Sequence, residues 1–170
     1  MATTKFLSLV LGRITEIVPE VISQGISSAG KLLALGADGR LDASVMPIGI
    51  GQNTQTATAV ESIPAGSVVS LFNNSNTTFM RRADGTSVGK EAHAFVKEAV
   101  AQNALGTAYL PGNVLTGLTS LTPGLRYYLS TTPGTVQATP LSATGNVHQL
   151  IGVASNTTSL IFEPEEPITL

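Results

Sequence analysis

The sequence predicts an all-β fold: a β-sandwich or barrel over residues 54–170, preceded by an extended N-terminal arm (1–29) and a short joint with a tight turn (30–53). Three observations carry this. From about residue 54 the chain breaks into short runs rich in Thr, Val and Gly. Turn signals separate those runs at intervals of about 8 to 12 residues, the spacing of a sandwich or barrel. The breaks have turn chemistry: Pro64 to Gly66, Asn73 to Asn76, Asp84-Gly85, Pro111-Gly112, Pro123-Gly124 and Pro133-Gly134. Proline presets φ there, and glycine or asparagine accepts φ > 0 at little cost.

The arm comes first. Phe6, Leu7, Leu9, Val10 and Leu11 lead into Ile14, Ile17, Val18, Val21 and Ile22. The second set fits one helical face, but Pro19 interrupts it and would break or kink a helix. Ile14, Val18 and Val21 suit an extended chain equally well. The reading is a largely extended arm with at most a short helix, whose apolar side needs a partner surface that so short a segment cannot supply. Ser23 to Gly30 reads as a flexible hinge. In the joint, Lys31–Leu35 and Arg40–Leu41 flank the tight-turn pair Asp38-Gly39, and Asp42 and Ser44 suit a short capped turn ending before Pro47.

Strands are expected near 55–61, 67–73, 77–83, 92–100, 105–110, 126–131, 135–139, 148–155 and 159–163. Residues 126–130 and 135–139 look like a hairpin about Pro133-Gly134. Segment 91–100 also has helical composition, but the alternation of Ala92, Ala94 and Val96 with His93 and Lys97 favours a strand. No long period repeats.

Composition narrows function. A chain of 170 residues suits one domain plus an appendage. With 12% charged and 42% hydrophobic residues it lacks the signature of disorder. The net charge of −2, without blocks of one sign, leaves no electrostatic footprint for nucleic acid or an anionic membrane. So low a charge density on an apolar chain implies a surface covered by further copies or by a larger partner. Cysteine is absent, so disulfides and thiolate chemistry are excluded. Lys5 precedes an apolar run too short for a signal peptide, and no stretch approaches the ~20 apolar residues of a membrane span. Synthesis in the cytoplasm, with neither nucleic acid nor membrane as partner, is expected.

Catalytic motifs are weak. Gly85-Thr86-Ser87-Val88-Gly89 matches G-x-S-x-G, but a nucleophile elbow needs a strand, a strained turn and a helix in a large α/β sheet. His93 and His148 stand alone within apolar runs, without the convergent ligands a metal requires. Arg81 and Arg82 suit either a phosphate or carboxylate grip or a charged strand edge that discourages aggregation. Glu163, Glu165 and Glu166, with Pro164 and Pro167, give a stiff acidic tail, read as solvated or as a contact strap. Asn73, Asn76 and Asn156 fit the N-glycosylation pattern but serve better as turn residues. No Gly-rich phosphate loop is present. No catalytic residue, cofactor or metal site is expected.

The segment from Gly30 to Gly51, GKLLALGADGRLDASVMPIGIG, resembles a joint near the start of tailed-bacteriophage capsid decoration (cement) and head-fibre proteins. Gly117–Ser130 and Gly145–Ala154, followed by Phe162–Pro167, are similar to a β-module of the same proteins. The resemblance covers most of residues 30–168, and the arm matches only loosely. It implies a virion structural protein, a homo-oligomer with three copies favoured, seated on the outside of the capsid with the major capsid protein as partner. Under that reading the apolar arm docks by burial or strand addition, and Phe6, Leu9, Leu11, Ile14, Ile17 and Val21 are the candidate anchoring residues. The alternatives are a tail-fibre or receptor-binding module using Tyr109, Tyr127 and Tyr128, and a small hydrolase acting through Ser87.

Overall fold

The computed structural model describes residues 5–10, 12–37, 39–46 and 52–170. They fall into two compact units, one within residues 1–51 and one spanning Gln52–Leu170. The chain is all-β: among the described residues the only helical pieces are two single 3₁₀ turns, Gly25–Ser28 and Ala43–Val45.

The first unit is built on a hairpin. Strands β1 (Phe6–Val10) and β2 (Arg13–Ile17) pair antiparallel, from Phe6 opposite Ile17 to Val10 opposite Arg13. The arm is therefore extended as expected but folded back on itself. Gly12, at φ +77°, takes the left-handed conformation that the reversal requires. Residues assigned separately to arm and joint share hydrogen bonds. The Glu20 N–H donates to the Leu32 carbonyl (2.9 Å), the Ala34 N–H to the Glu20 carbonyl (3.0 Å), and the Ser23 N–H to Ser44 Oγ (2.8 Å). Lys31 also pairs with the Glu20 side chain. Gly36 and Arg40 close the tight turn, and Asp42 Oδ1 accepts the Ser44 N–H at 2.9 Å; Asp38 and Pro47 lie outside the described residues.

The second unit opens with β3 (Thr54–Ala59), β4 (Val68–Asn74), β5 (Thr77–Arg82), β6 (Ala94–Phe95) and β7 (Leu105–Tyr109), which close a five-stranded barrel in the order β3-β5-β4-β6-β7. The β4–β5 connection is a two-residue turn with Ser75 and Asn76 at φ 51° and 64°, the both-positive pattern that matches strand twist. The barrel interior is narrow, and Ala57, Ala59, Ala94 and Ala108 fill it with Ile63, Val69, Met80, Val96 and Val100. A Cβ on Gly106 would lie 2.6 Å from both Met80 Cε and Val100 Cγ2, so the lumen admits no side chain there.

Next come β8 (Val114–Thr116), β9 (Arg126–Leu129), β10 (Val136–Gln137), β11 (Val147–His148), β12 (Leu150–Ala154), β13 (Ser159–Phe162) and β14 (Ile168–Thr169). A five-stranded antiparallel sheet runs β10-β9-β12-β13-β8, and β11 and β14 form a separate two-stranded clip. Alternation along β6 builds the second core: Ala94 faces the lumen, while Phe95 joins Leu115, Tyr127, Leu129, Ile151, Leu160 and Phe162 against the sheet. Phe95 meets Phe162 edge-on at 5.2 Å and stacks on Tyr109 at 5.4 Å. Buried Gln149 ties the segments together, exchanging two hydrogen bonds with the Ala92 backbone and donating to the Glu165 carbonyl.

Candidate docking surface

The candidate surface lies on the hairpin. Period-2 alternation sends Leu7, Leu9 and Ile14 to one face and Phe6 and Ile17 to the other. Leu9 and Ile14 are direct cross-strand partners with Leu7 beside them, and the three are 72%, 73% and 74% exposed. Lys5 and Glu16 form an ion pair at the same end of the hairpin, so both strand ends are tied together by charge. An isolated two-stranded ribbon is marginal in water. Burying three such side chains under a partner would be worth roughly 5 kcal/mol before the costs of association.

Of the six candidate residues, Leu9 and Ile14 come together on this face. Phe6 and Ile17 pair on the opposite one, and Val21 is exposed beyond β2. Leu11 lies outside the described residues. Leu7, outside the six candidates, shares this face, as its alternation with Leu9 along a strand requires. Within the same unit, hydrogen bonds from Lys31 and then Ser28 hold the Glu20 carboxyl below its usual range.

The other candidates are absorbed into the second unit. Ser87 sits exposed in a turn with no helix after it. His93 Nδ1 accepts the Leu71 N–H at 3.0 Å, which uses the lone pair a metal would need. His148 packs its ring on Tyr128, with centroids 5.2 Å apart. No cluster of three metal-ligating side chains exists among the described residues. Arg81 and Arg82 lie on β5, which is an interior strand of the barrel and no edge. Arg81 sits 4.8 Å over the Phe72 ring and donates to the Gly89 carbonyl. Arg82 makes a fork to Glu61 Oε2 at 2.7 and 3.1 Å, and its N–H reaches Oε1 at 2.9 Å. Burial pushes the Glu61 carboxyl up, but the Arg82 contacts outweigh it and leave it below its usual range. The nearly buried Asp84 behaves likewise: burial raises it, and Thr86 and Lys90 together bring it below.

Among the tyrosines, Tyr127 is core, its hydroxyl accepting the Thr122 N–H at 2.9 Å. Tyr109 is engaged by Phe95 and by Lys97, whose Nζ is 4.4 Å from the ring centroid. The acidic strap borders a cavity of about 400 Å³ lined by Glu91, His93, Gln149, Glu165 and Glu166. Its buried amide, Gln149, already has its hydrogen bonds, and Glu91 accepts the Gly89 N–H, which leaves the exposed His93, Glu165 and Glu166 around the space without a convergent ligand set.

No family model matches the chain, and no curated protein matches it. Among solved structures it is similar to the head fiber gp8.5 N base of bacteriophage phi29, at 12% identity and a TM-score of 0.43, with 65% of this chain and 92% of that chain covered. At that score the likeness is a partial overlap and carries no functional weight.

Proposed function

We propose that this chain is a non-enzymatic structural protein of a tailed-bacteriophage virion. It docks its N-terminal hairpin on the major capsid protein and displays the β-unit on the capsid exterior, as a small symmetric oligomer for which the family resemblance implies three copies. One observation carries the docking assignment: Leu7, Leu9 and Ile14 form an exposed apolar cluster on one face of the ribbon, bordered by the Lys5–Glu16 pair, and no described residue of the same unit buries them. The capsid as destination rests on the resemblance of residues 30–168. Binding the assembled shell and not its separated subunits stabilises the shell by mass action. The tail-fibre reading draws less support, because Tyr127 and Tyr109 are engaged in packing.

The test is co-sedimentation of the full chain with heads lacking this protein. Wild type pellets with the heads, and a Leu9→Asp/Ile14→Asp variant stays in the supernatant. Equal pelleting of both would remove the hairpin from the docking role, and binding to intact tails instead of heads would favour the tail-fibre reading.

A further inference from the structure

We infer that the concavity between the two edges of the five-stranded sheet is a docking groove for an extended, uncharged peptide segment of a partner chain. β8 and β10 stand at opposite ends of the sheet order, yet β10 and the residues just after β8 line one concavity of about 350 Å³. The barrel segment Gly66-Ser67 links its two sides. A Cβ on Gly66 would lie 3.5 Å from the Thr116 carbonyl oxygen, and one on Gly134 would lie 3.1 Å from Ser67 Oγ. Both edges carry unused backbone groups. Leu129 sends its N–H to the Gln149 carbonyl, so Val136 opposite it turns its N–H and C=O away from β9. The Phe162 N–H goes to the Asn113 carbonyl, so Val114 and Thr116, out of phase with Asn113, face away from β13. Among the described residues no backbone group pairs with the outward groups of Val136 or Thr116. Ser67, which also lines the groove, is 6% exposed, and its hydroxyl makes no hydrogen bond among the described residues.

These groups select the occupant. No charged or aromatic side chain lines the groove. A phosphate, carboxylate or ammonium group would enter without a counter-ion, and a polyproline helix without the aromatic wall that recognises it. An extended backbone supplies what is missing: a carbonyl for the Val136 N–H and an N–H for the Thr116 C=O, as in strand addition to a sheet edge. Side chains alternate along such a strand, so every second one meets Leu118, Leu121 and Val136, at the flank of the core between barrel and sheet. Aliphatic residues suit those positions, and the Ser67 hydroxyl remains as a further donor or acceptor. The edges are short, three residues in β8 and two in β10, so the contact is weak and reversible. No hairpin residue takes part, and the occupant is distinct from the shell that the hairpin is proposed to grip. Failure of either reading leaves the other standing.

Fluorescence polarisation of the full chain with short dye-labelled peptides, blocked at both ends, tests it. The peptides alternate threonine with one varied residue: valine, leucine, lysine or glutamate. The valine and leucine peptides bind saturably, and the lysine and glutamate peptides bind about tenfold more weakly. Methylating the backbone nitrogens of the valine peptide abolishes binding, and the unmethylated peptide slows hydrogen exchange at the Val136 amide. Ser67→Ala weakens binding about tenfold, the loss of one hydrogen bond. Thr119 is exposed in the groove wall, and its side chain makes no hydrogen bond among the described residues. Thr119→Glu therefore turns the preference from the valine to the lysine peptide. Both variants unfold at the wild-type temperature, which separates lost contact from lost fold. Four results overturn the inference: no saturable binding by any peptide, equal binding of the methylated peptide, an unprotected Val136 amide, or indifference to both substitutions. A peptide that acts only by breaking up self-association, read by sedimentation velocity, would make the occupant a second copy and overturn it too.

Discussion

Residues 5–46 and residues 52–170 draw on the same aliphatic side chains, yet no residue of the first segment whose burial is described is buried, while the second closes two cores. The contrast comes from layering. A strand pair has two faces, and an apolar face is stable only under a second layer. In the β-unit the barrel and the five-stranded sheet are that layer for each other, with Phe95 reaching one core while Ala94 fills the other. Among the described residues of its own unit the hairpin has no such layer, and Leu7, Leu9 and Ile14 are exposed. Under the proposed function, one segment holds its shape alone and the other is completed by its docking partner.

The comparison is tested first where the β-unit is least tolerant. A Cβ on Gly152 would fall 1.9 Å from the Ile161 carbonyl oxygen, at a backbone φ of +156°, so the two central strands must part to admit it. Gly152→Val is expected to abolish the fold of the β-unit, read as loss of cooperative unfolding by circular dichroism; a soluble, cooperatively folded variant would show that the strand contact is looser than described. Phe95→Ala, which empties the core between barrel and sheet, should cost about 3–5 kcal/mol in denaturant titration. A cost under about 1 kcal/mol would mean that the two layers do not depend on each other.

A smaller effect is electrostatic. Asp84 and Glu61 both have native carboxyls held below their ordinary values. Their contribution is therefore complete above about pH 4 to 5 and is lost as pH falls through the depressed native values. Asp84→Asn should lower stability at neutral pH by about 1–2 kcal/mol, since it removes the Lys90 ion pair and weakens buried hydrogen bonds. It should also flatten the acid limb of the stability curve. An unchanged acid limb would assign acid sensitivity to other groups. Glu61 and Arg82 are each about a third exposed, 35% and 36%, so solvent screening makes their share smaller.

The smallest effect on stability is expected from the hairpin. Leu9→Asp with Ile14→Asp should shift unfolding of the β-unit by less than about 0.5 kcal/mol. A larger shift would mean that the two units stabilise each other and would end the division of labour.

How far this was legible in the sequence depended on whether one residue served one purpose. Turns were, because their chemistry is local: Ser75-Asn76 takes the two positive φ values that a short hairpin needs, and β9 and β10 pair about Pro133-Gly134 as expected. The expected strand over 92–100 shrank to Ala94–Phe95, because its residues are divided between two cores and the chain there crosses from one to the other. Strand β8 is three residues long, too short for any periodicity to register. Pro164 and Pro167 argued against pairing in the tail, yet Ile168–Thr169, just beyond them, pair with β11. In the arm, Ile14, Ile17, Val18, Val21 and Ile22 fall at helical spacing by coincidence, and Gly12 alone signalled the reversal. That reversal is what places Leu7, Leu9 and Ile14 on one face, so an exposed apolar arm was legible in the sequence and the grouping of its residues by face was not.

The central claim is that the hairpin attaches and the β-unit does not. It is met most directly by measuring the affinity of the full chain for undecorated heads with wild-type protein, the Leu9→Asp/Ile14→Asp variant and a β-unit surface variant such as Val114→Asp. Only the hairpin variant is expected to lose binding, with all three unfolding at the same temperature. Retained binding by the hairpin variant, or its loss on Val114→Asp alone, would contradict it.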